Sequence, residues 1–221
     1  MYWLLNSSIG RKFIMSISGI FLVLFLLFHL SMNLTLVFST DAYDWICELL
    51  GANWYAIAGT LVLTAGVVIH IVYGTWITLL NRKARGSERY ASSSATKTEW
   101  ASQNMWILGA IIFLGLVIHL LNFWYKMQYA ELIHCPNAIT EGSGLVIDLF
   151  SKPVYVAIYL VWLAVLWFHL THGVWSAFQT LGWNGKRWFS RMQIISNIVA
   201  TVIMICFAVV PVYFFISSLA H

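Results

Sequence analysis

Two histidines three residues apart, His169 and His172, stand near the end of a long apolar run, in the stretch FHLTHGVWSAFQTLG over 168–182. An imidazole can ligate a metal, hand on a proton or bridge two helices by a hydrogen bond. Three more stand singly in other apolar runs: His29, His70 and His119. Each has a small or polar residue one helical turn away: Asn33 after His29, Gly66 and Gly74 about His70, Gly115 before His119, Gly173 after His169. A missing Cβ at such a place lets a bulky planar ligand, or another backbone, approach the helix. For any one of these histidines an interhelical hydrogen bond is the plainer account. Four of them on four separate runs ask for a shared one.

The elements that carry them are membrane spans. With 61% hydrophobic and only 9% charged residues in 221, the composition excludes an ordinary soluble domain. The chain reads as one all-α membrane domain with five transmembrane helices at about 13–38, 54–80, 104–125, 153–181 and 192–219, each reaching the ~20 residues a span needs. No Asp, Glu, Lys or Arg lies well inside any of them. The first run follows Arg11 and Lys12 but is far longer than the ~7–15-residue core of a signal peptide, so it reads as retained.

Arg11, Lys12, Arg82, Lys83, Arg85, Arg89, Lys97, Lys186, Arg187 and Arg191 all fall on one side of these spans, and only Lys126 and Lys152 on the other. The N-terminus is therefore expected in the cytoplasm and the C-terminus, with His221, outside. The net charge of +4 is then positive-inside bias and not a nucleic-acid footprint. Asp41, Asp44, Glu48, Glu131, Glu141 and Asp148 give the outer face a negative potential. The cysteines lack metal-ligand spacing, which speaks against zinc or an iron–sulfur cluster within this chain; Cys47 and Cys135 fall in outer loops, where a disulfide is chemically permitted.

Between the spans, 39–53 reads as an acidic, aromatic loop whose Trp45, with Trp54 and Tyr55, suits an interfacial belt. The segment 82–103 is polar and basic, either a tether or a docking surface for a cytoplasmic partner, with Thr96 and Glu99 as a capping box for the third helix. Ser151 and Pro153 give N-cap and first-turn signals for the fourth, and Pro211 is expected to kink the fifth, which looks structural.

Depth along the helices groups the histidines. His29 lies 17 residues beyond Lys12 and His119 16 beyond Gln103, ~24–25 Å from the cytoplasmic ends, while His70 and His169 are each 12 residues from theirs, ~18 Å. Two imidazoles from different helices at one level can supply both axial ligands of a haem iron, so two levels predict two haems within the bundle. Proton relay is the main competitor, but relays normally use a buried Asp or Glu, and these spans hold none.

With these residues in view, the chain resembles the five-helix, di-haem cytochrome b subunit of the succinate:quinone oxidoreductases, the succinate dehydrogenase and fumarate reductase family. The likeness spans the chain and is most specific in Arg11-Lys12 with Ser16, Ser18 and Gly19, in FHLSMN at 28–33 and in FHLTHGVWSAF at 168–178. The resemblance implies His29 with His119 as ligands of the outer haem and His70 with His169 as ligands of the inner one. It selects His169 over His172 because the family's fourth ligand stands four residues before a glycine position, here Gly173. It implies two b-type haems, a flavoprotein partner holding FAD, an iron–sulfur partner, and electron transfer to or from a membrane quinone, expected to be menaquinone, in a bacterial cytoplasmic membrane. Succinate itself would be handled by the flavoprotein. Some members carry a glutamate two residues before the fourth ligand as a proton route, and Trp167 stands there in this chain. Arg11, Lys12, Ser16, Arg82, Lys186 and Arg187 are candidate partners of the inner haem's propionates, though most serve equally well as positive-inside charge.

A quinone site is expected at the outer side, with Glu48 as the catalytic residue handling its protons and Asp44 as a rival. A two-haem wire is needed only if electrons cross much of the bilayer, and Trp45, Leu49 and Leu50 could desolvate Glu48. The alternative reading is the b-type subunit of another respiratory complex, of nitrate reductase, formate dehydrogenase or hydrogenase type, which would concentrate haem histidines on fewer helices. A haem-free anchor or transporter is the third.

Overall fold

A computed structural model describes residues 7–85, 100–183 and 185–220. It is all-α: α1 (Ser8–Phe38), α2 (Thr40–Leu49), α3 (Trp54–Arg85), α4 (Trp100–His119, continued by a π-helix Leu120–Tyr129 and a last turn Ala130–Leu132), α5 (Ser143–Phe150), α6 (Pro153–Thr180) and α7 (Lys186–Leu219). Five of these stretches, α1, α3, α4 with its extension, α6 and α7, are long and apolar enough to cross a membrane. Their centres match the expected spans, but most run several residues further into polar sequence. Backbone hydrogen bonding continues wherever residues tolerate a helix, whereas hydropathy marks only the part that lipid requires.

The core is a three-helix seam. Leu30 of α1 packs with Leu163, Leu166 and Leu170 of α6 and with Ala200, Ile203 and Met204 of α7. Lipid is as apolar as leucine, so such a seam depends on close approach through small residues. Ala200 is wholly buried, and Ser196, Ser16 and Ser18 are buried with it or along α1. On this seam α3 lies against α1 and α4 against α6, while α3 and α4 meet at few places among the described residues. Two of those are hydrogen bonds, Thr60 Oγ1 to Gln128 Oε1 at 2.8 Å and Trp106 Nε1 to Thr75 Oγ1 at 3.4 Å.

The helix ends are closed by local chemistry. Ser7 Oγ accepts from Gly10 N at 2.9 Å to start α1. Gly182, at φ +103°, ends α6: Trp183 N reaches Phe178 O and Gly182 N reaches Gln179 O, while the Trp183 and Phe178 rings stack at 5.4 Å. This is the paired-bond, apolar-contact ending that a left-handed glycine permits.

Several expectations are corrected. The 39–53 segment is mostly the helix α2: Ser39 ends α1 and its Oγ accepts from Ala42 N, which starts α2. Ser151 does not cap α6; it closes α5 and donates to Asp148 O, leaving Lys152 before Pro153 at the first turn. Pro211 lies within α7, which continues past it to Leu219. The Thr96–Glu99 box, Glu88, Arg89, Lys97 and His221 lie outside the described residues, as do the side chains of Arg85 and Lys186. Cys47 and Cys135 are both free thiols.

At the end of the bundle away from the start of α1, α2 and α5 form a cover. Tyr43 of α2 is buried with Val146, Leu149 and Phe150 of α5 and with Tyr159 and Phe214. Asp44 accepts from Ser143 N at 2.7 Å and Ser143 Oγ at 2.6 Å, capping α5 from another element. Burial, with Cys47 alongside, holds the Tyr43 hydroxyl above its ordinary pKa, and burial also pushes the Cys47 thiol up.

Candidate functional site

The folded chain brings the four span histidines together in two cross-helix pairs. His29 of α1 meets His119 of α4 with ring centres 5.7 Å apart and planes at 89°. His70 of α3 meets His169 of α6 at 6.2 Å and 65°. His172 instead packs edge-on against Trp175 at 4.9 Å. On α1 the residue beside His70 is Ser18, eleven positions before His29; on α4 the one beside His169 is Gly109, ten before His119. At 1.5 Å per residue the pairs are thus ~15–17 Å apart along the bundle. The separation inferred from hydropathy is less than half of this, because it measures depth from the ends of apolar runs that the helices overshoot unequally.

The His29–His119 pair sits among rings. His29 stacks on Phe25 at 5.5 Å and lies 6.0 Å from Phe207; His119 lies 5.1 Å from Phe123, 5.7 Å from Trp162 and 6.1 Å from Tyr159. Asn33 Nδ2 donates to His29 O at 2.8 Å and lies 3.3 Å from His29 Nε2. Immediately after His119 the helix widens into its π segment, which carries Asn122, whose Nδ2 donates to the Tyr159 hydroxyl at 3.2 Å. π-Helical turns often occur at functional sites. Gln128, in the same segment, ties α4 to the α2–α3 connection: it accepts from Thr60 and Trp124 and donates to Gly51 O.

Among the described residues the His70–His169 pair has no such ring shell; Ser18 Oγ lies 3.3 Å from His70 Nδ1. Two buried nitrogens, His119 Nδ1 and His169 Nδ1, have no hydrogen-bond partner among the described residues. Among the described residues no group of three or more His, Cys, Asp or Glu converges to hold a metal ion, so each level offers two imidazole donors. Such a donor set suits a metal that brings the remaining ligands with it.

Three glycines near the histidines are taken up by side chains. A Cβ on Gly115 would overlap the Trp162 indole, one on Gly66 would meet Phe21 at 2.5 Å, and one on Gly74 would meet Met15 at 3.2 Å. At Gly173 the nearest neighbour is Met105, at 4.0 Å. At Gly115, Gly66 and Gly74 the neighbouring helices approach closely, through two rings and a thioether, whereas Gly173 meets only an ordinary contact.

The candidates for holding acidic groups are dispersed. Arg11 lies over the Trp76 ring at 5.3 Å and Arg82 over Trp106 at 5.5 Å, Ser16 Oγ donates to Lys12 O at 2.9 Å, and Lys12 and Arg187 are exposed. Glu48 is exposed, and so are Trp45, Leu49 and Leu50, so among the described residues those neighbours do not enclose its carboxylate. Asp44 is engaged at Ser143, and Glu131 Oε2 accepts from Ala52 N at 2.9 Å, whereas among the described residues nothing bonds the Glu48 carboxylate.

Sequence reasoning passed over Asn122, Tyr159 and Trp162. Asn122 was open to notice, a lone amide three residues after His119 as Asn33 is four after His29. Trp167, standing where a glutamate was sought, donates from Nε1 to Thr201 Oγ1 at 2.9 Å and so ties α6 to α7. The chain is an all-α protein with five helices able to span a membrane, and it matches none of the protein-family models, curated proteins or solved structures with which it was compared.

Proposed function

We propose that this chain is the di-haem cytochrome b membrane anchor of a succinate dehydrogenase or fumarate reductase, passing electrons between an iron–sulfur partner and a membrane quinone, with menaquinone the expected species. The observation that carries the proposal is the meeting of four histidines from four spans as two pairs, well separated along the bundle. Two imidazoles on one metal, at ~2 Å metal–nitrogen bonds, have ring centres roughly 6 Å apart, close to both observed separations. Among the described residues no hydrogen bond engages Nδ1 of His119 or of His169, so neither ring is turned by one away from its partner histidine.

His29 with His119, and His70 with His169, would hold one b-type haem each, and the iron supplies one-electron transfer when bound. The chain's own part is to present neutral imidazoles, to exclude water and to fix the rings. Phe21 and Trp162 lie against Gly66 and Gly115, so loading the group is expected to turn these two side chains aside. At the far end, Glu48, whose carboxylate has no bond among the described residues, is proposed to exchange protons with quinone; Asp44 already caps α5. The positive-inside charges put the start of α1 in the cytoplasm, where the flavoprotein and iron–sulfur partners would dock.

The test is haem stoichiometry of the purified full chain by its reduced pyridine adduct, together with the identity of co-purifying subunits. Two haems per chain, with a flavoprotein and an iron–sulfur protein, are expected. A chain expressed under haem-replete conditions that binds none would overturn the proposal.

A further inference from the structure

Ser18 is buried in α1, in a stretch of small residues whose ordinary purpose is close helix packing. Its hydroxyl has one proton and two lone pairs. The proton is directed to Met15 O, one turn back, at 3.0 Å. What remains for the neighbouring imidazole is a lone pair, and His70 Nδ1 lies 3.3 Å away. The next residue, Gly19, backs the same ring: a Cβ there would stand 3.3 Å from His70 Cε1 and 3.7 Å from Nδ1. Hydroxyl and bare Cα together hold one edge of the His70 ring from α1, while the ring belongs to α3.

We propose that Ser18 is a positioning residue that accepts a hydrogen bond from His70 Nδ1–H, fixing that tautomer and leaving Nε2 as the nitrogen with a free lone pair for an axial metal bond. A ligating histidine commonly has its second nitrogen held in this way, which sets ring orientation and ligand basicity. The other three paired histidines are held differently: among the described residues Nδ1 of His119 and of His169 has no partner, and at His29 it is the Asn33 amide that lies near Nε2. The purpose assigned to the lone pair rests on the proposed haem function; the tautomer does not.

The test uses the full chain with 15N-labelled histidine in lipid bilayers, without haem, at mildly basic pH, with the His70 signals assigned from His70→Gln. His70 is expected to carry its proton on Nδ1. Ser18→Ala should shift it towards the Nε2–H form, and Ser18→Thr, which keeps the hydroxyl, should not. An Nε2–H His70 in the unaltered chain, or a tautomer indifferent to Ser18→Ala, overturns the assignment. In the haem-loaded chain, Ser18→Ala should move the reduction potential of one haem and leave the other in place, with Ser18→Thr restoring it. A chain that binds no haem yet shows the Ser18-dependent tautomer upholds Ser18 while removing the haem reading.

Discussion

The pair His70–His169 is held by small groups, a serine hydroxyl and the bare backbone of Gly19 and Gly109, whereas His29–His119 is enclosed by Phe25, Phe123, Tyr159, Trp162 and Phe207. The first arrangement specifies direction: a hydrogen bond to one ring nitrogen tells the other where to point. The second specifies surroundings, because stacked rings exclude water and keep the local dielectric low without dictating a tautomer. One kind of donor pair is thus built twice from different materials. The helix geometry differs too, since α3 and α6 pass regularly by their pair while α4 widens directly after His119.

The largest effect should come from removing a ring. On the proposed di-haem reading, His169→Ala is expected to take haem content from two per chain to one, whereas His172→Ala leaves it near two, because His172 packs on Trp175 while His169 meets His70. Loss of a haem in the His172 variant alone would reverse the assignment.

The ring-built end is next. Gly115→Ala forces a methyl into the Trp162 indole and should destabilise the protein by about 1–3 kcal/mol. Gly59→Ala, on α3 with nothing within 4 Å, is the control and should be neutral or stabilising by up to ~1 kcal/mol through helix propensity. Thermal unfolding of the two variants, both haem-free and in the same detergent, measures the difference. Equal shifts would mean that the close packing at Gly115 is not a constraint in solution.

The smallest effect separates the shells. Tyr159→Phe removes the acceptor of Asn122 Nδ2 and should lose roughly 1 kcal/mol. Any spectral change is expected only at the haem proposed for His29 and His119, since Tyr159 lies 6.1 Å from His119. A change at both haems would show that the two levels are mechanically coupled rather than independently built.

Much of this architecture was legible in the order of residues. Runs of apolar residues of membrane length, interrupted by basic clusters, determine the five spans, because the hydrocarbon core demands length and excludes charge. One histidine at depth in each of four spans, with a glycine or an amide a turn away, marks the candidate site for the same reason: lipid gives an imidazole nothing to bond. Even α2 was signalled, by Ser39 as a cap and Asp41 in the first turn, beneath an acidity that reads as loop. Only the tertiary structure decided what surrounds each ring. Ser18 and His70 are 52 residues apart, and neither residue's neighbours in sequence name the other. The π-helical widening after His119 leaves no hydrophobic period to read, and the ~15–17 Å between the pairs depends on how far each helix overruns its apolar core. Local chemistry sets the period and the ends of a helix, but which side chains meet across helices is settled by how the helices pack, a property of the whole bundle and of no single stretch within it.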